Sequence, residues 1–437
     1  MFLTSKSNFI LLLIMYLIVR CVCDESNSVV VNTSSGGVRG QTLNVVNHKI
    51  NQFLNIPYAE PPVGPLRFSP PQPLQTPKQD IIDGTKSGNY CIQYTKVSEI
   101  KTSEDCLALN IWTPNVDNNN DTKDQQLKPV MYYLYGGALS MGSIFKDMYS
   151  GSVLATNDVV IVSVNYRVGQ LGFLYGGDQT APGNIGFYDK LLGLKWVREN
   201  IHLFGGDKDE ITIFGGSGGS WAVSAHVLSP LSKGLFKRAV MQSGSVLYNK
   251  DRPALSTVEG LKKAKDLAKG LNCDEYDYKW LDCLRAIDDP NLFIEFPENG
   301  NMVAFTHPVF GTQFLPQKAL NTGLFNSEIE LMVGVTKDEG PVMAITLYPQ
   351  IRAPGLTVEI FKKVVNKLSD EYNNIDVEGV SDYYLKNIDT TNESQLTVAF
   401  SALYGDLVLT FWYELSPYRF QVIGQCHIIH RWNQFDE

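Results

Sequence analysis

The sequence predicts an α/β protein, with a mostly parallel central sheet and helices on both faces. Three observations predict it. Residues 129–135 and 159–165 are dense apolar runs, the pattern of strands buried on both sides. Such runs alternate with helical spacing: residues 186–203 set Leu191, Leu194, Val197 and Ile201 on one side. Residues 211–214 form a further strand that runs straight into Gly-x-Ser-x-Gly, with a helix-like stretch at 221–228.

Taken in order, residues 1–23 read as a secretory signal. Lys6 supplies a short positive start, residues 9–19 are apolar, and Cys21-Val-Cys23 offers small residues for cleavage. The other reading is a membrane anchor. The run is short for a bilayer and Arg20 interrupts it. No later run is long enough to span a membrane, so the mature chain, residues 24–437, is expected to be one secreted α/β domain. A strand- and proline-rich stretch follows to about residue 80. Residues 117–126 read as an exposed polar loop, 236–242 and 329–335 as strands, and 255–290 and 355–408 as mostly helical, polar segments.

Composition narrows the function. The 437 residues carry a net charge of -9, and the signal holds only positive charges, so the remainder is more acidic still. No Lys/Arg-rich run is present, which argues against a nucleic-acid partner. Asn32, Asn120 and Asn392 each begin a glycosylation acceptor pattern. With the signal removed, Cys91, Cys106, Cys273, Cys283 and Cys426 remain: two close pairs and one leftover. That usage suits an oxidising compartment, and spacing alone leaves the pairing open. None has the paired spacing of a zinc site, and no metal or cofactor is expected.

Strand, sharp turn and helix around Ser217 are what a nucleophile elbow requires. The turn is tight enough that flanking positions must be nearly free of side chains. The hydroxyl then stands exposed, and the next amide points at a bound carbonyl. Without that context, Gly215-Gly-Ser217-Gly-Gly219 reads only as a flexible loop in a chain of 36 glycines. With it, the motif proposes acyl transfer on a small-molecule substrate.

The chain resembles the carboxylesterase/cholinesterase family of α/β-hydrolases from about residue 29 to 411. Residues 53–68 (FLNIPYAEPPVGPLRF) resemble the family's N-terminal signature and residues 103–114 (SEDCLALNIWTP) its second, with Ala108 where Tyr is usual. Residues 182–189 and 196–206 match the approach to the elbow. The resemblance implies an α/β-hydrolase fold and disulfides Cys91–Cys106 and Cys273–Cys283. It also implies an ion pair between Arg67 and Glu104, and an ester substrate. By it, Ser217 is the nucleophile, Glu339 the acid that orients a histidine, and Gly137, Ala138 and Gly218 the oxyanion donors.

The base departs from the pattern. Only His427 and His430 follow Glu339. Gly424-Gln-Cys-His427 fits half of the family's setting, but Ile428 replaces a glycine, and Phe411-Trp412 stands where Cys-Pro usually begins the next element. In one reading a shortened connection still delivers His427 to Ser217. In the other, residues 412–437 are unrelated tail and the triad is incomplete, which fits the unpaired Cys426. Gly216 also replaces a glutamate, and no tryptophan lies between Cys91 and Cys106. Both argue against a choline ester and for a neutral one. Two functions follow: a secreted serine carboxylesterase, or a catalytically impaired, non-enzymatic cholinesterase-like binding protein.

Overall fold

The computed structural model describes residues 28–94, 100–114, 126–246, 255–273, 279–294, 306–317, 328–371 and 375–407. The signal at 1–23, Asn120, most of the loop at 117–126, Cys426, His427, His430 and the tail at 412–437 lie outside the described residues.

Ten strands form one sheet. They are β1 (Ser28–Thr33), β2 (Gly36–Val45), β3 (His48–Pro57), β4 (Lys78–Asp83), β5 (Ala108–Pro114), β6 (Lys128–Leu134), β7 (Val160–Val164), β8 (Gly206–Gly216), β9 (Arg238–Gln242) and β10 (Glu330–Gly334). Their order is β1-β2-β3-β5-β7-β6-β8-β9-β10, with β4 beside β2. The sheet is mixed, in two halves. Along the main path, pairings from β1 across to β7 are antiparallel, with short turns joining β1 to β2 and β2 to β3, while β4 lies parallel to β2. From β7 through β6, β8, β9 and β10 every pairing is parallel, and this half carries the candidate site.

The main helices are α1 (Ile185–Asn200), α2 (Gly218–Leu228), α3 (Thr257–Gly270), α4 (Trp280–Arg285), α5 (Gly340–Leu347), α6 (Val358–Glu371), α7 (Val377–Leu385) and α8 (Glu393–Gly405). The largest core joins the sheet to α1 and α2 through residues such as Val162, Leu194, Phe204 and Val223. A second core closes among α5, α6 and α8 around Phe361, Phe400 and Tyr404. A third packs α3 and α4 with Phe68 and Leu171.

Two strands differ from expectation. β7 is buried throughout, but in β6 only Val130, Tyr132 and Leu134 are buried while Met131 and Tyr133 are half-buried. The ring of Tyr133 is covered by the tilted rings of Tyr149 and Phe214, a thinner cover than a helix gives. β8 also starts earlier than the β-branched run, at Gly206. Gly205 turns the chain in the left-handed region after a short 3-10 helix, and the ladder to β6 shifts register before Ile211. α1 is more deeply sunk than its periodicity suggested. Asp189 and Lys190 are fully buried, and Asp189 is paired with buried Arg167 at 2.6 Å.

Candidate active site

The four parallel strands end level with one another. Leu134 of β6 pairs with Gly215, Gly216 of β8 with Gln242, and Gln242 of β9 with Gly334. The ladder runs one step further, because Ser217 N–H donates to Gln242 O at 2.8 Å and Ser243 N–H to Gly334 O at 2.8 Å. The carboxyl edge of such strands is where open α/β sheets bind ligands. The segments at 135–142, 217–218 and 335–339 all leave from that edge.

Ser217 caps α2 with φ 55° and ψ -125°, a conformation that costs a non-glycine residue of order 1–3 kcal/mol and persists only when its surroundings impose it. They do so here. A β-carbon on Gly215 would lie 2.4 Å from Leu134 O, and one on Gly219 2.1 Å from the same oxygen, so helix and strand cross too closely for side chains. Ser217 itself is exposed among the described residues. Gly216 is different: a β-carbon there would meet nothing nearer than 3.9 Å. Close backbone approach therefore does not demand glycine at this position.

The loop after β6 faces the elbow. Gly137, Ala138 and Leu139 have φ of 129°, 54° and 60°, three successive residues in the positive range. A β-carbon on Gly218 would lie 2.7 Å from the Ala138 amide nitrogen, so the two backbones meet with no side chain between them. Gly137 C=O accepts from the amides of Ser140 (2.9 Å) and Met141 (3.1 Å). The peptide plane is rigid and trans, so the Ala138 N–H points away from that carbonyl. Neither Gly137 N–H nor Ala138 N–H has a hydrogen-bond partner among the described residues. The Gly218 N–H is the first of its helix, one of those the helix cannot satisfy itself. Three amide donors are thus left unspent beside the serine.

The loop is tied down from outside. Gln93 Nε2 donates to Gly142 O and Gln93 Oε1 accepts from Gly142 N–H, both at 2.7 Å. Gly169 N–H donates to Leu139 O at 2.9 Å. Tyr135 and Tyr166 stack at 4.2 Å and exchange hydroxyl-to-carbonyl hydrogen bonds, with burial holding both phenols well above their ordinary pKa. Gln93 and Gly169 carried no motif. Gln93 was findable only through its place two residues after Cys91.

Glu339 is half-buried at the start of α5, five residues past β10. One of its oxygens accepts the Thr336 N–H at 2.6 Å, which fixes the side chain over the strand end. Two parallel strand spacings, about 10 Å, separate β10 from β8.

Cys91 joins Cys106 and Cys273 joins Cys283. Arg67 grips Glu104 with two nitrogens at 2.7 Å each and gives its third to the carbonyls of Leu284, Arg285 and Ile287. Asn32 and Asn392 are exposed; Asn392 also caps α8 by accepting from the Ser394 and Gln395 amides. Among the described residues no cluster of His, Cys, Asp and Glu is arranged to hold a metal, and no helix is long and apolar enough to cross a membrane.

The model of the carboxylesterase family matches residues 27–414. An acetylcholinesterase of Electrophorus electricus is 33% identical over 424 residues, 91% of this chain and 65% of that protein. Acetylcholinesterase-1 of Trittame loki is 32% identical over 415 residues, 87% of this chain and 72% of its own. An acetylcholinesterase of Gallus gallus is 40% identical over 303 residues, 65% of this chain and 38% of its own. The chain thus spans from about two fifths to seven tenths of the length of these relatives.

Proposed function

This chain belongs to the carboxylesterase family, and from that premise we propose that it is a secreted serine carboxylesterase hydrolysing neutral carboxylic esters through an acyl-enzyme on Ser217. The family and the relatives named above are ester hydrolases, which supports the reaction class. One observation carries the assignment to this site: the strained Ser217 elbow faces unspent backbone donors across Gly218.

In this reading Ser217 Oγ attacks the ester carbonyl carbon while His427 takes its proton. The carbonyl oxygen becomes an oxyanion held by the N–H groups of Gly137, Ala138 and Gly218, whose dipoles are oriented before substrate arrives. His427 then protonates the departing alkoxide, the alcohol leaves, and the acyl group stays on Ser217. Water, giving its proton to His427, releases the acid. Glu339 accepts the Nδ1 hydrogen of His427 and stabilises the imidazolium. Gly216 contributes no negative charge beside the serine, which supports a neutral ester over a cationic one.

The test is hydrolysis of p-nitrophenyl butyrate by the chain and its Ser217→Ala and His427→Ala variants. The serine variant is expected to lose activity by roughly a millionfold. Equal rates for wild type and Ser217→Ala overturn the assignment. The departure of the sequence after residue 411 favours the second reading, a cholinesterase-like binding protein. It predicts that a fluorophosphonate fails to label Ser217, because an unactivated serine reacts poorly.

A further inference from the structure

Positive φ is costly at the two successive non-glycine residues Ala138 and Leu139, and something must hold the oxyanion loop in it. The Ala138–Leu139 peptide is held by a contact from a distant segment. Thr306 N–H lies 3.2 Å from Ala138 O and 3.0 Å from Ser140 Oγ. Thr306 Oγ1 lies 2.7 Å from Ser140 Oγ, and Ser140 Oγ in turn reaches Ala138 O at 3.2 Å. Ser140 is buried, and 166 residues separate the two hydroxyls in sequence. One self-consistent arrangement has Thr306 Oγ1 donating to Ser140 Oγ and Ser140 Oγ donating to Ala138 O.

The chemistry of that clasp depends on which peptide it grips. Ala138 N–H belongs to the peptide whose carbonyl, on Gly137, is fixed by Ser140 and Met141. Ala138 C=O belongs to the next peptide, and this one Thr306 fixes. Held on both sides, Ala138 cannot rotate its N–H away from Gly218. With the Thr306–Ser140 hydroxyl relay cut, Ala138 O keeps the 3.2 Å bond from Thr306 N–H but loses a firmly placed Ser140 Oγ, so Ala138 and Leu139 can relax toward negative φ and the donor drifts off the elbow.

We propose that Thr306, acting with Ser140, is a positioning residue that keeps the Ala138 amide aimed at the oxyanion. The role rests on the esterase reading of Ser217. It gives the segment that begins at Thr306 a hold on catalysis without touching the reacting atoms. A misplaced donor costs transition-state stabilisation and leaves ground-state ester binding intact, so the effect belongs to kcat and spares KM.

The experiment compares the full chain with Thr306→Val, Thr306→Ser and Ser140→Ala. Valine keeps the shape and the backbone N–H but removes the hydroxyl; serine restores it. Thr306→Val and Ser140→Ala are expected to lower kcat for p-nitrophenyl butyrate by ~10–100-fold with KM within a factor of about two, and Thr306→Ser to stay within about threefold of wild type. Inhibition by an aryl trifluoromethyl ketone, which forms an oxyanion on Ser217, is expected to weaken in parallel. Hydrogen exchange of the 136–142 amides, read by mass spectrometry, is expected to quicken in Thr306→Val and Ser140→Ala alone. An unchanged kcat in an active chain overturns the proposal. So does unchanged exchange, including in a chain whose wild type hydrolyses no ester and in which the esterase reading has failed by itself.

Discussion

Gly340 and Ser401 meet backbone to backbone: a β-carbon on Gly340 would lie 1.7 Å from the Ser401 carbonyl oxygen. Gly405 closes the same contact from the other side, its own β-carbon position falling 2.6 Å from Gly340 N. α5 therefore crosses α8 with nothing between the chains, and Glu339 is the residue immediately before that crossing.

Gly340→Ala forces the two helices apart. Overpacking of this kind costs about 1–3 kcal/mol. It also shifts Glu339, so kcat is expected to fall by ~10-fold while Ser217 still reacts with a fluorophosphonate at a reduced rate. Thermal unfolding together with steady-state kinetics checks both halves.

Glu104→Gln leaves Arg67 charged, 4% exposed and without its counter-ion. The three carbonyls it also holds do not neutralise it. Removing one partner of a buried pair costs about 3–5 kcal/mol, and the unfolding free energy from urea titration is expected to drop by that amount, as a lower midpoint with an unchanged slope.

His226 gives the fold an acid sensitivity. It is buried on α2 with Nδ1 2.8 Å from Ser232 Oγ. Burial first, and the neighbouring Lys190 charge second, push its imidazole from 6.5 down to about 3. The unfolded chain takes up this proton near pH 6.5 and the folded chain does not, so the stability it contributes is complete above 6.5 and is lost as pH falls toward 3. The slope is ~1.4 kcal/mol per pH unit. His226→Gln removes that titration. Between pH 6.5 and 4.5 its stability relative to wild type is expected to improve by about 2–3 kcal/mol, read from urea unfolding at each pH.

Gln93→Leu strips both hydrogen bonds that Gln93 shares with Gly142, at the far end of the loop that faces Ser217. It leaves the Gly142 N–H and C=O without the side chain that now satisfies them. The expected cost is about 1–3 kcal/mol, with kcat falling more than KM rises. Mutating Gln93 to Glu keeps one acceptor for the Gly142 amide and is expected to lose less.

Contiguous signals made much of the candidate site's geometry legible. Gly215 to Gly219 announce the elbow because its sterics act over five residues, and Tyr135 to Ala138 announce the loop by following a strand. The two disulfides and the Arg67–Glu104 pair came from resemblance and are present in the structure. The antiparallel half of the sheet was not legible, since a strand's neighbours are set by long-range pairing rather than by its own pattern. Thr306 was invisible for a related reason. Its partner is 166 residues away, and an isolated threonine before His-Pro carries no periodicity.

Arg67 also sets a timetable. Its first partner, Glu104, is 37 residues downstream, but the carbonyls that absorb its remaining nitrogen are 217 to 220 residues downstream. A nascent chain leaving the ribosome amino end first therefore holds a half-finished junction while residues 105–287 emerge. Closure waits until Ile287 has emerged, and any helper that shields the unfinished half in the interval acts on the yield of folded molecules.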